Sequence, residues 1–529
     1  MNISQEAPAK STFRAAFLVP ALILLLIIAV ELVVILVVND GHLVYTLDDT
    51  YIHMALSENI KRGHYGVNLN EVSSPSSSIL WPFLLAPFMS PPIADYAPLV
   101  INIVIAFATL AVYARLVTIA LCPCDDKESN IIAGLIVLLL IPMTNLVGQV
   151  FLGMEHELQT FLSALLVLGL IQEARTGHVS WWLIGAVIAG PLVRYENLAL
   201  SLPALFYLVL RGHFKVALLT ALAVAVSVGG FSAYLVSIGL KPLPNSVMYK
   251  TGIGVIESNF VFRPIILYAR LGIKTIFSRI FMPIVFIVYM LVALSSKWPR
   301  EERLLAATIA VAVLVHYLYG QIGSYHRLEM YVWLSACLML IYLFRANLRR
   351  LVQNQPLYRS AIIIIFFGLL LAREYTTTLF TTPLASNNIY QQQYQMHRFT
   401  TEFLKDSVAV NDLGWVAYDN DDYVLDLMGL ASYQALWHRF NTVDPSWMND
   451  LAAEHGVQVA MIYDFRFREL PPNWRRLGEL RLGRLRLVPA GDTVSFYALD
   501  EETAKQIQPA LSAFQQSLPP GVIFEMTGE

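Results

Sequence analysis

The sequence predicts an α-helical polytopic membrane protein with about eleven transmembrane helices and a C-terminal soluble α/β domain. Long apolar runs recur through the first part of this 529-residue chain, and the C-terminal part is more polar. Charged residues make up only 14% of the chain, whereas a soluble protein carries roughly a quarter. The mean hydropathy of +0.57 also indicates a membrane protein. We therefore expect a membrane domain over residues 1–380 and a soluble domain over residues 381–529.

The first apolar run covers residues 15–38 and follows Lys10 and Arg14. It lacks a small-x-small cleavage site, so it is typical of a signal anchor that remains in the chain. Basic residues before a first span favour a cytoplasmic N-terminus. The sequence therefore predicts a multi-pass membrane protein with residues 39–94 as the first extracytoplasmic loop.

Further apolar runs predict the remaining spans. The connectors rich in arginine and lysine fall on the cytoplasmic side by parity, so residues after about 375 are expected outside the cell. Residues 76–89 are apolar but interrupted by proline and too short to cross, which predicts a re-entrant or interface helix. The predicted spans lie near residues 95–121, 131–147, 157–173, 179–193, 197–211, 214–239, 277–295, 303–320, 329–345 and 358–374.

One outer connector, residues 241–279, departs from the rule that places positive charge inside. This excess of positive charge indicates either an error in the predicted topology or an anionic ligand. Its cations are Lys241, Lys250, Arg263, Arg270, Lys274 and Arg279.

The C-terminal domain is expected to hold short strands near residues 407–412, 457–464, 481–490 and 493–500 and a final helix near 502–518. It contains no cysteine, so it folds without disulfides. The chain has three cysteines, and the Cys122–Cys124 pair lacks the further ligands that a metal site needs. A net charge of −3 provides no basic face for a nucleic acid, so we expect no nucleic-acid partner.

Two adjacent carboxylates, Asp48 and Asp49, follow the first span. Thr46-x-x-Asp49 is typical of a helix start, and acids in a first turn interact favourably with the helix dipole. The helix that follows is amphipathic, so it is expected to lie in the outer interface. A cap needs one carboxylate only, and crowding a second beside it raises the pKa of at least one, which suits a general base. Capping and catalysis both remain open on these residues alone.

The segment "DDTYIHMALSENIKRGHYGVNLNEVSSPSSSILWPFLLAPF" resembles the first outer loop of the GT-C superfamily of integral-membrane glycosyltransferases. In that superfamily an Asp-Asp or Asp-Glu pair follows the first span, and an amphipathic helix and a G-x-x-x-N turn come next. The nearest pattern is the branch of mycobacterial arabinofuranosyltransferases that use decaprenyl-phosphate arabinose.

Five later segments resemble motifs of this branch in the same order, over about residues 45–430. The second departs from its motif, because Tyr195 and Asn197 stand where the branch has proline and glycine. The segments are "FLGMEHELQTFL" with Gly153 and Glu155, "GPLVRYENLAL" with Arg194 and Glu196, "GLKPLPNSVMYK" with Pro244, Asn245, Tyr249 and Lys250, "SYHRLEMYVWL" with Arg327, and "VNDLGWVAYDNDDYVLDLMGL" with Gly414, Tyr418, Asp426, Gly429 and Leu430.

The resemblance implies a polyprenyl-phosphate sugar donor, an extracytoplasmic glycan, lipid or protein acceptor, and surrounding membrane lipids. It implies catalysis by Asp48 and Asp49. Each polar candidate also has an ordinary alternative, because interfacial cations usually reach towards headgroups and glutamates pair with arginine. The candidates are Lys250, Arg194, Arg327 and His326 for the donor phosphate, and Glu155, Glu196, Asn245, Tyr249 and His53 for substrate binding.

The expected reaction is a direct displacement. Asp48, or Asp49, takes a proton from an acceptor hydroxyl, whose oxygen attacks the anomeric carbon while polyprenyl phosphate leaves, so the configuration inverts. No cofactor is expected, because no P-loop or dinucleotide motif occurs in the sequence. Clustered aspartate oxygens suit hard cations, but single-phosphate donors in this superfamily generally need no metal, so none is expected.

Two other functions stay open. A lipid-linked sugar flippase or transporter would also have many spans and intramembrane charge, but it is expected to show repeats and broken helices in two halves. A non-catalytic subunit of an envelope-glycan assembly would tolerate alanine at both acids. The sequence leaves the donor sugar open between arabinofuranose, a hexose and aminoarabinose.

Overall fold

The computed structural model describes residues 10–121, 127–255 and 281–527. The membrane part is helical, and the C-terminal part is a six-stranded sheet with helices, which confirms the predicted fold class. The predictions for Cys122 and Cys124, and for four cations within residues 241–279, concern residues outside the described ranges. Those four cations are Arg263, Arg270, Lys274 and Arg279.

Every predicted span contains a helix in its described part. The membrane part comprises α1 Lys10–Val38, α2 Asp49–Lys61, α3 Leu80–Leu85, α4 Ala97–Leu121, α5 Lys127–Met143, α6 Leu146–Leu152, α7 His156–Thr176, α8 Trp181–Val193, α9 Leu198–Leu210, α10 Phe214–Ser237, α11 Asn245–Thr251, α12 Phe281–Leu294, α13 Arg300–Tyr319, α14 Met330–Leu343, α15 Arg345–Asn354 and α16 Leu357–Ala372.

Several of these helices can cross a membrane, so the chain is a multi-pass membrane protein. Among the described residues, five are long and apolar enough to cross alone, and the number reaches eight if each bent pair is one span. One such pair, α5 with α6, bends by 43° at Asn145, whose backbone is left-handed. Three apolar helices are shorter, at Trp181–Val193, Tyr195–Leu210 and Met282–Leu294.

The C-terminal part forms one mixed sheet in the order β2-β1-β3-β5-β4-β6. β1 runs parallel to β2 and β3, and the other pairs are antiparallel. The elements are α17 Thr376–Gln391, α18 Gln393–Arg398, β1 Val408–Val410, α19 Gly414–Ala417, β2 Val424–Asp426, α20 Tyr433–Asn441, α21 Trp447–Glu454, β3 Val459–Ile462, β4 Arg475–Arg481, β5 Thr493–Ala498, α22 Glu501–Gln506, α23 Gln508–Ser517 and β6 Ile523–Met526.

Most of the predicted C-terminal elements are present. Strands β1, β3 and β5 lie where the sequence predicts them, and the final helix is divided in two just before Pro509. The prediction of a strand over residues 481–490 is wrong, because β4 ends at Arg481 and a largely exposed loop follows. β4 pairs on both sides, with β5 and β6.

Helix α2 is buried in the protein rather than laid on the membrane surface, which corrects the prediction of an interface helix. Nine of its thirteen residues are buried, on all of its faces. It packs against α3, the turn Ala86–Phe88 and α19. The C-terminal domain therefore covers a helix that the local sequence assigns to lipid, and this contact positions the site.

Candidate active site

The two adjacent acids have different partners. Asp48 binds the C-terminal domain, because its two carboxylate oxygens accept the backbone N–H groups of Gly414 and Trp415, each at 2.8 Å. These groups open α19, so Asp48 caps a helix of the other domain and not its own. Burial, followed by the charge of Asp412, raises the pKa of Asp48, although the two N–H donors act in the opposite direction.

The helix-start pattern predicted around Thr46 and Asp49 does not form a capping box. No side chain caps α2, and Thr46 Oγ1 donates to the carbonyl of Phe151 instead. Gly414 lies directly against the backbone of Asp48, where a Cβ atom would collide with the Asp48 carbonyl oxygen. A glycine at this position therefore permits the close approach of the two domains.

Asp49 binds a cation. Its Oδ2 lies 2.5 Å from Nη2 of Arg327, and its side chain is 46% exposed. Burial opposes ionisation, but the charges of Arg327, Lys250 and His53 together lower the pKa of Asp49. Asp49 is therefore an ionised and accessible carboxylate, whereas both oxygens of Asp48 are engaged by backbone N–H groups.

A strained turn carries Arg327 to this position. Ser324, Tyr325 and His326 have φ angles of 50°, 61° and 56°, in the left-handed region that residues other than glycine rarely adopt. Such strain persists where the surroundings enforce it, and it occurs often at functional sites. The Nε–H of Arg327 is buried and has no acceptor among the described residues.

Beside this pair lies a buried ion network centred on Arg194. Its Nη1 donates to Glu155 Oε1 at 2.6 Å, and its Nη2 donates to Glu196 Oε1 at 2.8 Å. Arg194 follows the end of α8, and Glu155 precedes α7, so two helix ends supply the network. Despite burial, the charges of Arg194 and then Lys250 lower the pKa of Glu196 to about 2.

His53 extends the network to α2. Its Nε2 lies 3.3 Å from Glu155 Oε2, and its Nδ1 lies 3.2 Å from Ser76 Oγ. Burial lowers the pKa of His53, and this effect is larger than the opposite effect of the Glu155 and Asp49 carboxylates. His53 and Glu155 therefore link the helix that carries the acids to Arg194.

A cavity of about 220 Å³ opens next to this network. Burial lowers the pKa of the Lys250 ammonium, and so does the charge of Arg194. Lys250 is thus a partly desolvated cation that shares a cavity with Glu196. The residues that line this cavity include Ser77, Tyr195, Glu196, Lys250, Tyr319 and Gln321.

The other predicted residues are distributed around the cluster. Asn245 opens α11, its backbone N–H donates to the Ser74 carbonyl at 2.9 Å, and its buried Nδ2 has no acceptor among the described residues. Tyr249 packs on Phe440 of α20, with ring centroids 6.1 Å apart. The structure therefore places Tyr249 against the C-terminal domain and not in the cavity.

His326 points towards Tyr375 and Glu329, away from the acid pair. Its ring lies 5.3 Å from that of Tyr375, and its Nδ1 is 3.6 Å from Glu329 Oε1. The structure thus brings seven predicted residues into one cluster, with Asp48 beside it. The seven are Asp49, Arg327, Lys250, Arg194, Glu155, Glu196 and His53.

Sequence reasoning missed His156. This residue opens α7 beside Glu155 and is 1% exposed, and neither ring nitrogen has a hydrogen-bond partner among the described residues. Arg194, Arg327 and Lys250 are near enough to act on it electrostatically. The signal in the sequence was its position inside the matched segment "GMEHE".

Within the described residues, no group of three or more His, Cys, Asp or Glu side chains is placed to hold a metal ion. The carboxylates near Lys250 are instead paired with arginine. The expectation that the reaction needs neither metal nor cofactor stays a prediction.

A model of a domain of unknown function, DUF8728, matches residues 387–497, which is less than half of the chain. No curated protein gave a match to the sequence.

The chain is similar to solved structures of ArnT, of an archaeal oligosaccharyltransferase and of an arabinofuranosyltransferase. ArnT from Cupriavidus metallidurans, bound to undecaprenyl phosphate, is 11% identical over 90% of this chain and 98% of that one, with a TM-score of 0.45. The oligosaccharyltransferase AglB from Archaeoglobus fulgidus is 12% identical over 96% and 76%, at 0.40. The arabinofuranosyltransferase AftD from Mycobacteria is 14% identical over 90% and 41%, at 0.39.

Proposed function

We propose that this chain is a membrane glycosyltransferase that moves a sugar from a polyprenyl-phosphate donor to a hydroxyl of an extracytoplasmic glycan, lipid or protein. One observation carries the proposal. An ionised, half-exposed carboxylate, Asp49, is held by Arg327 beside the cavity of Lys250 and Glu196. A base next to cations is the arrangement that transfer from an anionic donor requires.

Asp49, and not Asp48, is the general base in this proposal. Both oxygens of Asp48 already accept backbone N–H groups, which holds this carboxylate against the C-terminal domain and leaves fewer lone pairs for a substrate hydroxyl. Among the described residues, Asp49 has a single ion-pair partner, Arg327, and its side chain is half-exposed. The sequence left the choice open, and the contacts of the two acids support Asp49.

Lys250 and Arg327 bind the donor phosphate in this proposal. Lys250 borders the cavity, and Arg327 has a buried Nε–H with no acceptor among the described residues. Arg194 was also predicted to bind the phosphate, but its guanidinium already contacts two carboxylates. Its proposed role is to position Glu155 and Glu196, which in turn orient the sugar.

The donor also tunes the base. Arg327 and Lys250 lower the pKa of Asp49. An anionic phosphate bound between these cations offsets their charge, so the pKa of Asp49 rises and the carboxylate becomes a stronger base. The site therefore gains basicity only when the donor is bound, which limits unproductive proton transfer.

An apolar groove suits the polyprenyl chain. It lies between α9 and α13, has a volume of about 500 Å³ and is lined by Leu202, Phe206 and Val311 among other apolar residues. Its outer end reaches Leu198 and Val315. These positions are within about one helical turn of Glu196 and Tyr319, which border the Lys250 cavity. A lipid tail in this groove leads its phosphate to Lys250.

The reaction is a single displacement. Asp49 accepts the proton of the acceptor hydroxyl, and the new bond joins that oxygen to the anomeric carbon. The bond from the anomeric carbon to the phosphate oxygen breaks, and the electron pair leaves with polyprenyl phosphate, whose charge Lys250 and Arg327 stabilise. The configuration inverts, because the nucleophile enters opposite the leaving group. We place this chemistry on the extracytoplasmic side of a bacterial inner membrane.

The test is transfer in vitro by the purified full chain with a panel of polyprenyl-phosphate sugars, with arabinofuranose, hexose and aminoarabinose donors in separate arms. We expect one donor to be consumed and its product to have inverted configuration by NMR. Asp49→Asn should stop the reaction, whereas Asp421→Asn, at a side chain that is 86% exposed, should not. Equal turnover by Asp49→Asn, or no turnover with any donor, contradicts the proposal.

A further inference from the structure

A second cavity is lined by residues of α2 and α19, the two helices that meet at Asp48. It has a volume of about 280 Å³, close to the lower end of the range for ligand pockets. The first outer loop and the C-terminal domain build it together. Its aromatic lining includes His42, Tyr45, Tyr51, Tyr394, Trp415 and Tyr418.

These aromatic rings form a continuous cluster. Trp415 lies between Tyr51 and Tyr394, with centroid distances of 3.6 Å and 5.0 Å. Tyr394 also stands 5.1 Å from His42, and Tyr51 is 6.0 Å from Tyr418. Aromatic rings offer flat apolar faces with polar edges, which match the C–H face and the hydroxyls of a sugar ring.

The polar groups at the rim are acidic. Asp95 and Asp419 both line the cavity and are exposed, and Asp95 Oδ1 accepts the hydroxyl of Tyr418 at 2.8 Å. No lysine or arginine stands among the described residues that line it. An anionic headgroup would be repelled there, whereas a neutral polyol would find acceptors for its hydroxyls.

The cavity is joined to the acid pair through Trp415. The backbone N–H of Trp415 binds Asp48, and its side chain lines the cavity. Tyr51 lies on α2, two residues beyond Asp49. A ligand in this cavity therefore lies next to the two residues, Trp415 and Tyr51, that connect it to the acid pair.

We propose that this aromatic cavity binds a neutral sugar ring of the acceptor, so the acceptor is a glycan. The inference rests on the proposed glycosyl transfer and adds the acceptor's chemical class and its subsite. A cavity of this size holds about one sugar ring, and the exposed rim at Asp95 lets the rest of the glycan extend into solvent.

The test measures binding of neutral arabino-, manno- and gluco-oligosaccharides to the full chain in lipid nanodiscs without donor. We expect one series to bind, and Tyr394→Ala to weaken its Kd about tenfold because an aromatic contact is lost. Tyr394→Phe should retain most of the affinity, which separates loss of the ring from misfolding. Phe465→Ala, an exposed aromatic of the same domain outside the cavity, is the matched control.

Two comparisons keep this result distinct from the proposed transfer. Lys250→Ala should leave oligosaccharide binding unchanged, and Tyr394→Ala should leave binding of polyprenyl phosphate unchanged. If transfer fails but Tyr394→Ala still weakens oligosaccharide binding, the cavity is a glycan site and the catalytic assignment is wrong. If none of the oligosaccharides binds, or Tyr394→Ala binds them as the wild type does, the inference is overturned.

Discussion

The two sides of the acid pair differ in charge and in surface. Asp49 faces Arg327 and the Lys250 cavity, a region of desolvated cations. Asp48 faces the C-terminal domain, whose adjoining cavity has aromatic walls and acidic rim residues. Identical neighbouring side chains therefore have different roles. Asp49 lies beside the full charge of a guanidinium, whereas Asp48 accepts hydrogen bonds from backbone N–H groups.

Substitution of Asp48 and Asp49 should have the largest effects on activity. Asp49→Asn should reduce kcat about 10²–10⁴-fold, because general-base catalysis contributes that much, while donor affinity is retained. Asp48→Asn should act mainly on docking of the C-terminal domain, because one of its two N–H acceptors is lost. Initial rates, donor Kd and limited proteolysis of the domain measure the difference. If Asp48→Asn loses more turnover than Asp49→Asn, the assignment of the base is wrong.

The ion network behind Asp49 should have the next largest effect. Arg194→Met leaves Glu155 buried without its arginine, and breaking such a pair typically costs about 3–5 kcal/mol. Arg62→Ala is the matched control, because its partly exposed pairs with Glu58 and Asp421 each contribute about 1 kcal/mol at most. Thermal unfolding in detergent compares them. Similar melting temperatures for both variants would remove the structural role of Arg194.

The role of the cations is tested by substitution of Lys250. Lys250→Ala should weaken binding of polyprenyl phosphate about ten- to a hundredfold, the range for a hydrogen bond to a charged group. Lys241→Ala is the control, because Lys241 is an exposed cation of the same connector that stacks on Tyr433. Titration of the lipid in nanodiscs measures both variants. Equal affinities would exclude Lys250 from the phosphate site.

The smallest expected effect is a change in pH dependence. Arg327 favours the ionised form of Asp49, so Arg327→Gln raises the pKa of that carboxyl. The base is inactive when protonated, so activity falls as pH drops through this pKa, and the acidic limb should move to higher pH in the variant. Profiles of kcat against pH measure the shift. An unmoved or lowered limb would contradict the assignment of Asp49.

Much of the molecule followed from local sequence patterns. The apolar runs predicted where helices occur, and the pairing of Arg194 with Glu155 and Glu196 was one of the interpretations that the motifs allowed. The partner of Asp48 could not be predicted, because Gly414 is 366 residues away in the chain. The burial of α2 was missed for the same reason, since a distant domain covers it.

His156 and the aromatic cavity show a second limit. The matched segment marks the position of His156, but it does not indicate that cations from three other segments lie near this histidine. The cavity likewise combines residues of the first outer loop with Tyr394 and Trp415. Patterns with a period of a few residues indicate faces of one element, but they do not report which faces meet.

The bond between Asp48 and Gly414 has a consequence for biosynthesis. Ribosomes add about 5–20 residues per second, so the 366 residues that separate these partners take roughly 20–70 s to make. During that interval the N-terminal acids have entered the membrane without the domain that completes their surroundings. A nascent chain therefore lacks the contact between Asp48 and Gly414 until most of the chain has been translated, and a product that terminates before Gly414 never forms it.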